Sequence, residues 1–124
     1  TAAPSMRMTP RNATLKMHSG AVRRRGLKIP VADGVAKTLS VWVRKSAVGD
    51  GAAYNGNHQR LIVLANAALG LDADSVLDTA AAATGSWEEL TAALPTPTDD
   101  GAFEVVVDCD GTTGWVNVDD WSAA

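Results

Sequence analysis

Hydrophobic and polar positions alternate with period two over much of the chain, most cleanly from Phe103 to Trp121, FEVVVDCDGTTGWVNVDDW. Phe103, Val105, Val107 and Cys109 share one face of an extended segment, and Glu104, Val106 and Asp108 share the other, the pattern of a half-buried strand. Beyond Asp110-Gly111, whose glycine supplies the positive φ of a tight turn, Val116 and Val118 alternate against Trp115, Asn117 and Asp119. Gly114 lets the second run start without a Cβ in the way. The pattern predicts an antiparallel hairpin. Such a hairpin is marginal by itself, so the rest of the chain has to cover one of its faces.

Upstream, Ser5–Thr9 turns Met6 and Met8 one way, Thr14–His18 does the same with Leu15 and Met17, and Pro10-Arg11-Asn12 separates the two short strands. Residues 21–31 place Leu27, Ile29 and Val31 at period two. Asp33-Gly34 then turns the chain into Lys37–Arg44, where Leu39, Val41 and Val43 oppose Ser40, Trp42 and Arg44. A loop from Ser46 to His58 follows, rich in Gly, Ala, Asn and Asp and carrying the turn signal Asn55-Gly56, with Tyr54 decorating it. Residues 60–65, RLIVLA, are apolar on both faces, as expected of a strand inside a sandwich.

Two segments in the middle conflict with this reading. DSVLDTAAAAT (74–84) and SWEELTAAL (86–94) are alanine-rich, and Ser86 with Glu89 fits a helix capping box. Short strands at even spacing on both sides favour strands at 75–78 and 87–91, because β context overrides weak helix propensity. Pro95 and Pro97 then break the chain before Asp99-Asp100-Gly101 leads into the closing hairpin.

A chain of 124 residues is one domain, here 1–124, with enough core to need no staple. Its single cysteine, Cys109, sits on an apolar strand face and reads as a buried thiol. No apolar run approaches a membrane span, and no signal-peptide h-region opens the sequence. Because it begins at Thr1, the domain is expected to belong to a longer chain. All eleven Lys and Arg lie between Arg7 and Arg60, and twelve of the fourteen Asp and Glu lie from Asp72 onward. The run Arg23-Arg24-Arg25 has no interleaved aromatic residues and the whole chain carries net charge -3, which argues against nucleic acid. Opposite charges then pair either across neighbouring strands or head to tail between copies.

In this order the segments SMRMTP, LKIPVADGVAKTLSVWVRKS, RLIVLAN and TGSWEELTAALPTPTDDGAFEVVVDCDGTTGWVNVDDWS resemble the jelly-roll β-sandwich of carbohydrate-binding modules of the galactose-binding-like kind. The closing VDDW, Val118 to Trp121, matches the hydrophobic-Asp-Asp ending of that family, and YNGN with CDGTTGWVNVDDWS also resembles domains at the ends of phage and phage-like structural proteins. The resemblance implies an all-β, antiparallel jelly-roll sandwich. Modules of this kind have a further strand ahead of the SMRMTP position, so it also implies a sheet that lacks its first strand or has it supplied by a neighbour. In the family the Asp-Asp position contributes to a structural calcium site, which makes Asp119 and Asp120 the metal candidates. Asp108, Asp110 and Asp119 match an EF-hand loop poorly, since Thr113 stands where that loop needs glycine.

Signatures of catalysis are absent: no GxSxG, no HExxH, no phosphate-cradling glycine loop and no paired cysteines. His18 and His58 have no companion motif and read as surface polar groups. Sugar binding needs flat aromatic faces beside polar groups, because a pyranose stacks its CH face while its hydroxyls demand hydrogen bonds. Trp42 with Arg44, and Trp115 with Asn117, meet that requirement, although each tryptophan equally fits a second core layer or an oligomer interface. Trp87 and Trp121 read as core. Two functions follow. The first is a non-enzymatic structural, decoration or fibre module on a virion or other extracellular surface, contacting sister subunits as a homo-oligomer or within a larger assembly. The alternative is a carbohydrate-binding module that attaches its parent protein to cell-surface glycans.

Overall fold

The computed structural model describes residues 14–16, 23–56, 59–109 and 113–124. The described residues form eight strands: β1 (Thr14–Lys16), β2 (Arg23–Val31), β3 (Thr38–Lys45), β4 (Gln59–Val63), β5 (Ser75–Thr79), β6 (Trp87–Ala93), β7 (Gly101–Cys109) and β8 (Trp115–Ala123). The only helical pieces among the described residues are single 3₁₀ turns at Val48–Asp50 and Ala67–Leu69. A strand at Ser5–Thr9, the two histidines and the Asp110-Gly111 turn fall outside the described residues.

Two four-stranded antiparallel sheets form a sandwich, the front sheet in the order β1-β8-β3-β6 and the back sheet in the order β2-β7-β4-β5. Successive strands of the first half alternate between sheets, and β5 to β8 retrace them in reverse. The result is the jelly-roll connectivity expected from the sequence. Every pair of neighbouring strands takes one member from β1–β4 and one from β5–β8.

The core lies between the sheets, built from the inward positions of each alternation. Leu39, Val41 and Val43 of β3, Leu90 of β6, and Val116 and Val118 of β8 face Ile29 and Val31 of β2, Leu61 and Val63 of β4, and Phe103, Val105, Val107 and Cys109 of β7. Burying each large side chain contributes about 1.5–3 kcal/mol. β4 lies inside the back sheet and buries Leu61, Ile62 and Val63 in succession, as its unbroken apolar run requires.

Residues 74–94 form strands. Each earns a partner that a helix would forfeit: β5 pairs with β4 and β6 with β3, while Leu90 becomes completely buried. The acidic residues of the segment serve loop and strand backbone instead of capping a helix. Glu88 accepts the Ala81 and Ala82 N–H groups at 2.9 and 2.7 Å through Oε1, and Asp78 accepts the Thr91 N–H at 3.0 Å. Tyr54 does not decorate its loop but is buried in the core, because its segment folds back onto the front sheet: its N–H donates to the Ser46 carbonyl at 2.9 Å.

Candidate functional site

The outward positions of the front sheet gather the residues singled out for binding. On β3 the inward Leu39, Val41 and Val43 leave Ser40, Trp42 and Arg44 outward; on β8 the inward Val116 and Val118 leave Trp115, Asn117 and Asp119 outward. The strand register sets these side by side. Trp42 stands between Glu89 of β6 and Asp119 of β8, and Arg44 between Trp87 of β6 and Asn117 of β8. Trp42, Arg44, Trp115 and Asn117 therefore share one face, all of them partly exposed.

Trp87 belongs to this face and not to the core. Leu90 sets the phase of β6, so the residue three positions earlier points the other way, opposite Arg44. In a strand at 87–91 alternation puts Trp87 and Leu90 on different faces, and the complete burial of Leu90 decides that Trp87 is the outward one. Trp121 does pack against the core. A β-bulge allows it: Ser40 pairs with Ser122 but Trp42 pairs with Asp119, so Asp120 and Trp121 together oppose Val41. Asp120 takes the strain with φ of 58°. Beyond it the alternation changes phase, which turns Trp121 and Ala123 inward.

Three connections meet at one end of the face. The 46–56 loop is fastened by Ser46, whose buried hydroxyl donates to the Ala52 carbonyl at 2.7 Å and accepts the Trp115 N–H at 3.0 Å. Asn55 and Thr113 exchange two bonds, Asn55 N–H to the Thr113 carbonyl at 3.2 Å and Thr113 N–H to Asn55 Oδ1 at 3.0 Å. Gly114 sits where a Cβ would come within 2.5 Å of the Tyr54 nitrogen, and a Cβ on Gly51 would meet the Trp115 ring at 3.8 Å. Arg44 is held from two sides. Its Nε donates to the Gly85 carbonyl at 3.2 Å and its Nη1 to Asp50 at 2.7 Å. Asp50 also accepts the Ala47 N–H, and the Arg44 hydrogen bond, followed by that from Ala47, holds its carboxyl below the ordinary value of 3.8. The guanidinium is thus a fixed platform edge.

Asp119 is mostly buried and its Oδ1 accepts the N–H of the exposed Asp120 at 2.8 Å. Among the described residues no group of three or more Asp, Glu, His or Cys gathers at this or any other point. Two adjacent carboxylates would supply part of the six to eight oxygens that calcium takes, the rest being carbonyls and water. Cys109 is a thiol buried in the core.

No protein-family model and no curated protein matches the chain. Among solved structures it is similar to the CBM22-1–GH10 modules of Clostridium thermocellum endo-1,4-β-D-xylanase 10B complexed with xylohexaose, with a TM-score of 0.58 and 15% identity. The match covers 90% of this chain and 24% of that one. The likeness is one of fold, a jelly-roll β-sandwich.

Proposed function

We propose that the chain is a non-catalytic carbohydrate-binding module, and that the outward face of the front sheet is its glycan platform. The observation that carries this reading is the register that sets Trp42, Trp87 and Trp115 among Arg44, Asn117, Glu89 and Asp119 on one side of a single sheet. Aromatic rings with polar neighbours are what a pyranose needs: stacking for its apolar face and donors and acceptors for its rim. Trp42 is the stacking surface, Arg44 a preset donor, and Trp115 with Asn117 the second contact. The module would serve to hold a longer parent protein at an extracellular glycan. The similarity to a xylanase that carries a carbohydrate-binding module supports this reading over a virion subunit, for which neither the geometry nor the comparisons offer a specific observation.

The test is titration of the 124-residue chain with soluble oligosaccharides, xylohexaose among them, comparing wild type with Trp42→Ala. Binding that falls at least tenfold in the variant, with thermal melting little changed, supports the proposal. Absence of binding to a broad glycan panel overturns it.

A further inference from the structure

We infer that Asp119 and Asn117 are specificity-determining hydroxyl acceptors that make the ligand of this face a neutral glycan; the inference rests on the glycan reading above. Asn117 Oδ1 and Asp119 Oδ2 are both sealed from solvent, and neither has a hydrogen-bond partner among the described residues. Asp119 as a whole is only 8% exposed. Buried polar atoms in folded proteins are nearly always paired, and an exception calls for a missing partner. Both atoms are acceptors, so the partner is a donor. As alternate residues of one strand they lie roughly 7 Å apart along the backbone, a separation that the hydroxyls along the edge of a sugar chain can bridge. Trp42 stands opposite Asp119 and Arg44 opposite Asn117, which puts the two acceptors beside the stacking surface and not remote from it.

The charges around Trp42 select among sugars. It is flanked by carboxylates on both sides, Glu89 and Asp119. Arg44, the one cation among the described outward side chains of β3, β6 and β8, already has its charge balanced by Asp50, so it offers a hydroxyl its N–H groups but a carboxylate no unpaired charge. A uronate or sialate laid on Trp42 would sit between two like charges with no uncommitted cation to offset them. A neutral sugar would instead donate its hydroxyl protons to the waiting acceptors, in an ordinary bond at Asn117 and a charge-assisted one at Asp119. Because both atoms are shielded in the unliganded chain, binding must include a rotamer change in the side chains above them, and tryptophan fluorescence should report it.

The experiment is calorimetric and fluorescence titration of the chain with xylohexaose, cellohexaose and mannohexaose as neutral probes and with oligogalacturonate as the acidic probe, each with and without EDTA. We expect at least one neutral probe to bind with a fluorescence change, no binding of oligogalacturonate, and no effect of EDTA. Asp119→Asn should weaken neutral binding about tenfold, the loss of one charge-assisted bond. Glu89→Gln, at an exposed position that does not threaten folding, should raise affinity for the acidic probe. The inference is overturned by preference for oligogalacturonate, by unchanged neutral binding in a folded Asp119→Asn variant, or by abolition of binding with EDTA, which would assign the acceptors to a cation. Should Asp119→Asn not fold, an unchanged charge preference in Glu89→Gln overturns the selection argument. Glycan binding that requires Trp42 but shows the wrong charge preference defeats this inference alone; no glycan binding at all defeats the glycan reading as well.

Discussion

The Arg44 guanidinium donates to the Asp50 carboxylate over 2.7 Å, and the same carboxylate oxygen accepts the Ala47 N–H over 2.7 Å. One side chain of the 46–56 loop thereby fixes a side chain of the front sheet's outward face.

This pair makes the face sensitive to acid. The Asp50 carboxyl titrates below its ordinary value of 3.8 because the Arg44 hydrogen bond, and after it the Ala47 N–H, favour the charged form. A depressed carboxyl contributes stability that is present above the unfolded value and disappears as pH falls through the folded one. The pair is partly exposed, so the contribution is small and screened by salt. Melting curves should show wild type above Asp50→Asn at neutral pH and the two converging in acid below the ordinary carboxylate range. Glycan affinity should follow the same curve, since protonation releases Arg44.

Gly114 and Gly34 have nearly the same backbone angle, φ of 75° and 71°, in opposite surroundings. A Cβ on Gly34 would meet nothing within 4 Å, whereas one on Gly114 would fall 2.5 Å from the Tyr54 nitrogen and 2.6 Å from Ser46 Oγ. Gly34→Ala should therefore cost only the left-handed penalty, about 1–2 kcal/mol. Gly114→Ala adds displacement of the loop and should cost roughly 3 kcal/mol or more. Denaturant midpoints separate the two. The Gly114 variant should also weaken glycan binding, because Ser46 and Trp115 share the bond that is disturbed.

On the opposite side of the molecule, Arg60 clasps Asp108 with two bonds of 3.0 and 2.7 Å. Asp108 is fully buried on the outer face of the back sheet, while the Arg60 side chain retains 29% exposure. The two partners are unequal for that reason. Arg60→Ala takes both bonds of the clasp from a buried carboxylate and should cost about 3–5 kcal/mol. Asp108→Asn leaves an arginine that can still reach water and should cost about 1–3 kcal/mol. Equal losses in urea titration would mean that Asp108 is less enclosed than this geometry requires. Glycan binding should be unchanged in whichever variant remains folded.

Period-two alternation was enough to place the core: Phe103, Val105, Val107, Val116 and Val118 all lie where their phase puts them. It was also enough to set Trp42 and Trp115 each opposite the valines of its own strand, and the β3–β8 pairing then puts the two on one face. What local pattern could not carry was anything decided by a partner strand. Trp87 faces out only because β6 pairs with β3 and buries Leu90, and the alanine-rich flanks of that residue point equally well to a helix. The bulge at Asp120, which sends Trp121 inward after Asp119 has faced out, has no glycine to announce it. Tyr54 in a polar, glycine-rich segment gave no sign that the loop would fold back under it.

The segregation of charge along the chain follows from the strand order. Since each neighbouring pair joins a strand of the first half to one of the second, basic and acidic segments are brought together at every ladder. Lys28 of β2 lies opposite Glu104 of β7, both exposed, and Arg24 lies opposite Asp108. The asymmetry thus favours the native pairing over pairings of first-half strands with one another, where like charges would meet. Lys28→Glu should destabilise by about 0.2–1 kcal/mol through repulsion with Glu104, and adding Glu104→Lys should restore most of the loss. The deficit of the single variant should shrink in 1 M salt, where the screening length is only about 3 Å. A deficit that ignored both the second substitution and the salt would mean that charge does not help to choose the partner of β2.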